Sequence, residues 1–466
     1  MTISNSKAFL TESEPRLLLR NSLPMFGAIL ALFSYELFES TLIAMQDAST
    51  LAAFGFTLPI TAAMMALAIG LSVRSNNKAV QCNCLTPQQL PAQIVHSLLC
   101  TFVIVALFSF GFYLFHEQLI LVTGFANWLD ASESSAAATY QTQYMHWRYA
   151  GWIALALFWQ VNAILRAQGW MKLASNLMLV WIAIKTALAF LLLAPTSPLQ
   201  WSDFSGLGLV HLIADTCFAL ISIVVLHRRV PLKFSRDVIQ RRRDSIPTKD
   251  SLLVIAQQFI TPISMLCLTA FAASLDTSYV AALALLFRLE VLFLLLPMVL
   301  TTSMPAIVGA NFWTGQKDRV KRLYWYGLGA IAVFQLFIAV VAYSQQHLIS
   351  MFVCPHEDIA IHIRSYLNWV PWGYAAAGAA IVLQSCLNAK NYTFRATLIG
   401  LCHRLLLVLP LTILGGIWYG YEGFYQGMML GHVGAILAVI YVLRRLTTKL
   451  NTTKHTPPST ILERVK

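Results

Sequence analysis

Charge is scarce in this chain. Only 11% of its 466 residues are Asp, Glu, Lys or Arg, less than half of the roughly 25% found in soluble domains, which excludes a water-solvated surface over most of the length. Several other things are missing. No Gly-Lys-Ser/Thr phosphate loop occurs, so the chain does not hydrolyse ATP by itself. No ten-residue alternation of apolar and polar side chains runs through it, which excludes a membrane barrel. No basic stretch is interleaved with stacking aromatics, so nucleic acid is not a partner. No His-rich cluster or Ser/His/Asp set falls at a common depth, which counts against an enzyme. Of eight cysteines, most lie in apolar runs, where cysteine behaves as a small hydrophobe. Cys354 is the sole clear outer-loop cysteine, so no outer-face disulfide is implied. Cys82 and Cys84 make a Cys-Asn-Cys that lacks the further ligands of a metal site. Neither a metal nor a cofactor is expected. Met1 to Asn21 carries Lys7, Glu12, Glu14, Arg16 and Arg20 with no short apolar region and cleavage site, so the first apolar run is expected to stay in the protein.

What the chain has is apolar length. Hydrophobic residues make up 58% of it, and a bilayer-spanning helix needs about 20 of them in a row. Runs of that length fall at 23–45, 51–73, 94–115, 147–166, 172–194, 206–226, 252–274, 280–302, 323–343, 367–388, 396–418 and 423–443. They predict an all-α integral membrane protein with twelve transmembrane helices. Most of the 32 Lys and Arg fall in alternate connections and at the two ends, a bias that places both termini in the cytoplasm and the protein in the inner (plasma) membrane, with anionic lipid heads as contacts. In this scheme Arg148 and Arg364 stand at outer helix ends.

The most polar connection, 227–251, divides the spans into two sets of six. Residues 1–22 read as a cytoplasmic N-terminal segment, 23–226 as a first lobe, 227–251 as a cytoplasmic linker, 252–445 as a second lobe and 446–466 as a cytoplasmic tail. The lobes repeat. Leu51-Ala52-Ala53 matches Val280-Ala281-Ala282, Leu165-Arg166-Ala167-Gln168-Gly169 matches Leu387-Asn388-Ala389-Lys390-Asn391, and Leu226-His227-Arg228 matches Leu443-Arg444-Arg445. Because six is even, the copies keep one orientation and are related by a pseudo-two-fold axis along the membrane normal. Two such lobes enclose a central cavity suited to alternating access, and nothing in the pattern demands more than a monomer.

Several motifs carry a family resemblance. Pro24, Glu39-Ser40-Thr41-Leu42 and Leu51-Ala52-Ala53-Phe54-Gly55 resemble the first two helices of the multidrug and toxic compound extrusion (MATE) family, a branch of the multidrug/oligosaccharidyl-lipid/polysaccharide flippase superfamily. Arg166-Ala167-Gln168-Gly169 is similar to that family's Arg-Gly-x-Gly loop, and Val308-Gly309-Ala310-Asn311-Phe312 with Asp318-Arg319-Val320 resembles its Val-Gly-Gln-Asn and Asp-Arg-Val signature. The resemblance implies a bend of helix 1 at Pro24, a coupling carboxylate at Glu39 where the family has an aspartate, and export driven by inward H+ or Na+. It also marks departures. Lys185 and Ala189 stand where one branch has an asparagine and an aspartate, and Ala270 stands where another has a glutamate.

The buried charges lead to the same helices without the family. A charge at mid-membrane costs about 2.5 to 3.5 kcal/mol on insertion scales and so faces a partner or a wet cavity. Candidates are Glu36, Glu39, Lys185, Asp215, Arg288, Glu290 and Arg404. Glu36 and Glu39 share one helix face, and Lys185 is expected to stabilise one of them, either as part of ion coupling or as a static tie between helices 1 and 5, the third alternative being that they never meet. Arg288 and Glu290 point to different faces, with a structural tie or substrate contact both open. His211 and Asp215, four apart, read as a proton relay or a satisfied pair inside the lobe, and Arg404 as a base that snorkels to the lipid heads. The favoured function is a secondary active antiporter exporting small amphipathic, cationic compounds, coupled to H+ in preference to Na+ because an ammonium at Lys185 repels sodium. Two alternatives stand beside it: a flippase for lipid-linked saccharides, and a membrane-embedded enzyme or scaffold.

Overall fold

The computed structural model describes residues 11–45, 48–85, 87–125, 135–193, 204–230, 232 and 249–452. These are helical almost throughout, with no strand among them. Eleven runs are long and apolar enough to cross a bilayer. The last, Thr393–Leu437, contains two crossings, because Gly420 at φ 64°, ψ −147° breaks the helix there. A left-handed residue of that kind is open only to glycine at low cost. Twelve transmembrane helices result, one on each predicted run.

In chain order they are α1 (Glu14–Ala44), α2 (Ala48–Gly55 continued by Leu58–Leu85), α3 (Leu90–Leu114), α4 (Ser135–Ala167), α5 (Met171–Leu193) and α6 (Ser205–Arg229). The second set is α7 (Lys249–Gln258 continued by Ile260–Ala273), α8 (Thr277–Phe293 continued by Leu295–Trp313), α9 (Lys317–Ser344) and α10 (Glu357–Trp369 carried through Val370–Gly373 into Tyr374–Ala389). The set ends with α11, from Thr393 to the break at Gly420, and α12, from there to Thr452. Most of the proposed linker, 231 and 233–248, lies outside the described residues, as does the tail after 452.

The helices pack as two sets. In the first set α4 lies against α2, α3, α5 and α6, and α1 lies along α5; in the second, α10 lies against α8, α9 and the α11–α12 pair. The sets meet where α1 and α2 pack on α8, and α2 packs on α7. Several approaches are close enough to exclude a side chain, two of them at Gly70 and Gly208. A Cβ on Gly70 of α2 would stand 2.9 Å from the Ile255 Cα of α7, and one on Gly208 of α6 would stand 2.8 Å from the Tyr144 carbonyl oxygen of α4.

The repeat is visible in backbone detail. α4 ends with Gly169 at φ 79°, its N–H donating to the Arg166 carbonyl and the Trp170 N–H to that of Leu165. α10 ends with Asn391 at φ 59°, its N–H donating to the Asn388 carbonyl and the Tyr392 N–H to that of Leu387. Both are the same left-handed helix stop, glycine in one copy and the next most tolerant residue in the other. These are the two segments that the sequence comparison aligned.

Candidate functional site

The buried charges gather around α1. Glu39 is 2% exposed, and its Oε1 lies 2.8 Å from His211 Nε2 of α6. One helical turn along α6, Asp215 Oδ1 lies 3.1 Å from Lys185 Nζ of α5, with side chains 2% and 3% exposed. The Trp181 indole N–H donates to the same Asp215 oxygen at 3.0 Å, and the Trp181 ring lies 4.2 Å from the Lys185 ammonium. The ring of Tyr35, one turn before Glu39, is 5.8 Å from that ammonium and packs edge-on against His211. Charges this dry are tolerated only when each has a partner and its remaining polar atoms are satisfied. Here the pairing is incomplete, since His211 Nδ1 and the Tyr35 hydroxyl have no hydrogen-bond partner among the described residues.

Glu36 turns the other way. Its Oε2 receives the Arg288 Nη1–H of α8 at 2.7 Å, with 25% and 17% of the two side chains accessible. The pair is thus partly accessible, and it lies where α1 of the first set packs on α8 of the second. Glu36 and Glu39 are three apart on α1, so one carboxylate reaches into the first set and the other across to the second.

Several expected pairings are therefore corrected. Lys185 binds Asp215 and not Glu39; it acts on Glu39 only through space. His211 and Asp215 do not bind each other, because each is taken by a residue of another helix. Arg404 does not snorkel. It sits in a π-helical turn, Cys402–Val408 of α11, and its Nη2–H donates to Glu290 Oε1 of α8 at 2.6 Å. Arg288 and Glu290 do point to different faces, and both are ties to other helices. Pro24 lies inside α1 with no break in the helix, its carbonyl accepting from the Ser175 hydroxyl at 2.5 Å.

The sequence reading missed Arg148. It stood at an outer helix end when α4 was taken to start at 147, but α4 begins at Ser135, which sets Arg148 roughly 20 Å along the axis. There it is half-buried and within electrostatic reach of Glu39, Asp215, Tyr144 and Arg288. No carboxylate among the described residues comes within ion-pair distance of it, and its Nε has no partner. Hydropathy fails on this stretch because its polar residues face inward, Gln141 and Tyr144 being buried. The helical spacing of Gln141, Tyr144 and Arg148 on one face is the signal that was available.

The second set has its own polar core. Beside Glu290–Arg404, the Tyr366 and Tyr374 hydroxyls are hydrogen-bonded, and His403 Nε2 lies 3.0 Å from His432 Nδ1. Among the described residues no three His, Cys, Asp or Glu side chains converge as a metal requires.

Residues 254–414 match the sequence profile of the MatE family. A FAD transporter from Shewanella oneidensis is 26% identical over 94% of this chain and 96% of its own length. Among solved structures, a mutant of the Vibrio cholerae MATE transporter VcmN superposes with a TM-score of 0.79 at 22% identity, covering 94% of this chain and 98% of that one. A transporter of the wider superfamily from Pyrococcus furiosus gives 0.80 at 16% identity, over 96% and 99%. These structures share the twelve-helix, two-lobe fold. Motifs, fold and the matched segment agree: residues 254–414 carry the MatE profile, and over nearly its whole length the chain is similar in fold to solved transporters of the multidrug and toxic compound extrusion family.

Proposed function

We propose that this transporter is an exporter, an antiporter driven by inward H+ across the inner (plasma) membrane, acting as a monomer with both termini in the cytoplasm, and that Glu39 is the coupling carboxylate, the group that takes up the proton. One observation carries the reading: Glu39 is buried in the first lobe with an imidazole as its partner. A carboxylate bonded to His211 takes up or gives back one proton without leaving its hydrogen bond, because imidazole both donates and accepts. Sodium needs a cage of oxygens. Around Glu39 there are instead an imidazole, the Lys185 ammonium and the Arg148 guanidinium, and a unit charge about 4 Å from a sodium ion opposes it by about 4 kcal/mol at an effective dielectric near 20.

The cargo reading shifts from the cationic class that the resemblance suggests. Glu36, Glu39 and Asp215 are matched in number by Arg148, Lys185 and Arg288, so the cluster has no acidic surplus to select a cation. FAD, the named cargo of the Shewanella relative, is the first molecule to test. The experiment is transport in proteoliposomes under an imposed pH gradient without sodium, against an imposed sodium gradient at uniform pH. Only the pH gradient should drive uphill export, and Glu39→Gln should abolish it while leaving passive exchange of cargo intact. Uphill transport by Glu39→Gln, or drive by sodium alone, sinks the proposal.

A further inference from the structure

We infer that Arg148 and Arg288 form the subsite for a phosphate group of the cargo, so that the molecules carried are amphipathic aromatics bearing phosphate. This rests on the reading of the chain as a small-molecule exporter, and adds to it where the cargo is held and by what.

Arg148 and Arg288 come from opposite lobes, α4 and α8, and lie within electrostatic reach of one another. Each has an Nε–H that is buried and bonded to nothing. Arg148 has no carboxylate within ion-pair distance among the described residues, while Arg288 spends one arm on Glu36 and keeps 17% of its side chain accessible. Guanidinium groups present planar forks that match the oxygens of phosphate, and a buried fork left half-used is costly unless something occupies it. The other cations nearby are not available in this way. Lys185 is closed in by Asp215 and Trp181, and Arg404 is bound to Glu290 in the second lobe. A phosphate entering between the two arginines would draw their side chains toward it, take up the N–H groups now left without acceptors, and compete with Glu36 for Arg288. Since Glu36–Arg288 bridges the lobes, binding would weaken one tie between them, which gives cargo a differential hold on the two shapes of alternating access.

The probes are three flavins that share a ring system and differ in phosphate: FAD with two, FMN with one, riboflavin with none. Equilibrium binding to the purified full-length protein in phosphatidylcholine nanodiscs, read by flavin fluorescence, should be tightest for FAD and at least tenfold weaker for riboflavin. Inorganic pyrophosphate should compete with FAD. Arg148→Gln and Arg288→Gln should each weaken FAD roughly tenfold to a hundredfold and leave riboflavin unchanged, with Arg148→Lys recovering part of the loss. Riboflavin binding as tightly as FAD to the wild-type protein overturns the inference, and that arm needs no variant to fold. So do equal losses for all three flavins in the variants. Displacement of FAD by phosphatidylglycerol in the nanodisc at lipid-to-protein ratios where phosphatidylcholine has no effect assigns the subsite to a lipid headgroup, and overturns the soluble cargo. The two proposals fail separately: phosphate-dependent binding without transport under any ion gradient sinks the antiport reading alone, and proton-driven export with no phosphate preference sinks this one alone.

Discussion

The Lys185–Asp215 pair offers the sharpest test of how the first lobe is held together. Its charges are 3.1 Å apart and almost wholly withdrawn from solvent. At an effective dielectric near 20 their attraction is about 5 kcal/mol, set against a desolvation penalty of several kcal/mol for each ion. The pair as a whole is therefore near neutral for stability, whereas loss of one member leaves a bare buried charge and costs about 3 to 5 kcal/mol. Asp215→Asn would leave the Lys185 ammonium without its counter-charge, facing a neutral amide oxygen and the rings of Trp181 and Tyr35, and Lys185→Met would leave Asp215 with only the Trp181 N–H. The double variant Lys185→Met/Asp215→Asn removes both charges and keeps an oxygen for that N–H. Unfolding of the purified protein by titration with denaturing detergent should show each single variant destabilised by about 3 kcal/mol, and the double variant less so than either, a coupling of at least about 2 kcal/mol. Additive losses would refute the argument. The same variants separate scaffold from machinery: a double variant that still exports uphill makes the pair a tie between α5 and α6 and nothing more.

Other consequences are checkable. Gly70→Ala should force α2 away from α7, where a Cβ meets the Ile255 backbone at 2.9 Å; the expected result is greater reactivity of single cysteines placed along that contact, and unchanged reactivity counts against it. Lys390, between α10 and α11, is buried among Phe312, Tyr324 and Tyr392, and burial pulls its ammonium down to about 8. The unfolded chain then binds more protons than the folded one between about pH 8 and 10.5, so stability rises with pH across that window, by at most about 3 kcal/mol. The melting-temperature advantage of Lys390→Met over the wild type should accordingly shrink between pH 7 and 10, and a constant difference would show that burial does not pull the ammonium down. Cysteine labelling should find 227–251 on the cytoplasmic side and 130–140 on the other; label from outside at Arg241 would overturn the orientation.

The helices were legible because their signal is local. Each of the twelve apolar runs falls on an observed crossing, and the matched stops at Gly169 and Asn391 follow from short motifs whose backbone needs are fixed by the residues themselves. Helix ends were less legible. α4 starts a dozen residues before its apolar run because Gln141 and Tyr144 face the interior, and a hydropathy window averages an inward polar face with the apolar one. That error hid Arg148. Partner choice was least legible. The charged residues of the cluster were named correctly apart from Arg148, yet Lys185 was joined to Glu39, because proximity in the bundle depends on how α5 and α6 rotate about their axes. No local pattern encodes that rotation. It is set by contacts such as Gly208 against the Tyr144 backbone and Trp181 against Asp215.

Once the rotation is known, the spacing of the two acids on α1 acquires a meaning that the sequence could only suggest. Glu36 and Glu39 lie on one side of the helix, yet they do not share a partner or a lobe: the first is bound to Arg288 of α8 and the second to His211 of α6. A helix tethered in opposite directions within one turn is the element on which both lobes pull. Protonation of Glu39 weakens its attraction to the cations of the first lobe while leaving the bond to Arg288 intact. Occupation of Arg288 by an anion does the reverse. Under the proposed roles, two bonds of similar length, 2.8 and 2.7 Å, would each be addressed by a different ligand, which is the condition for two ligands to bias one conformational equilibrium in opposite senses.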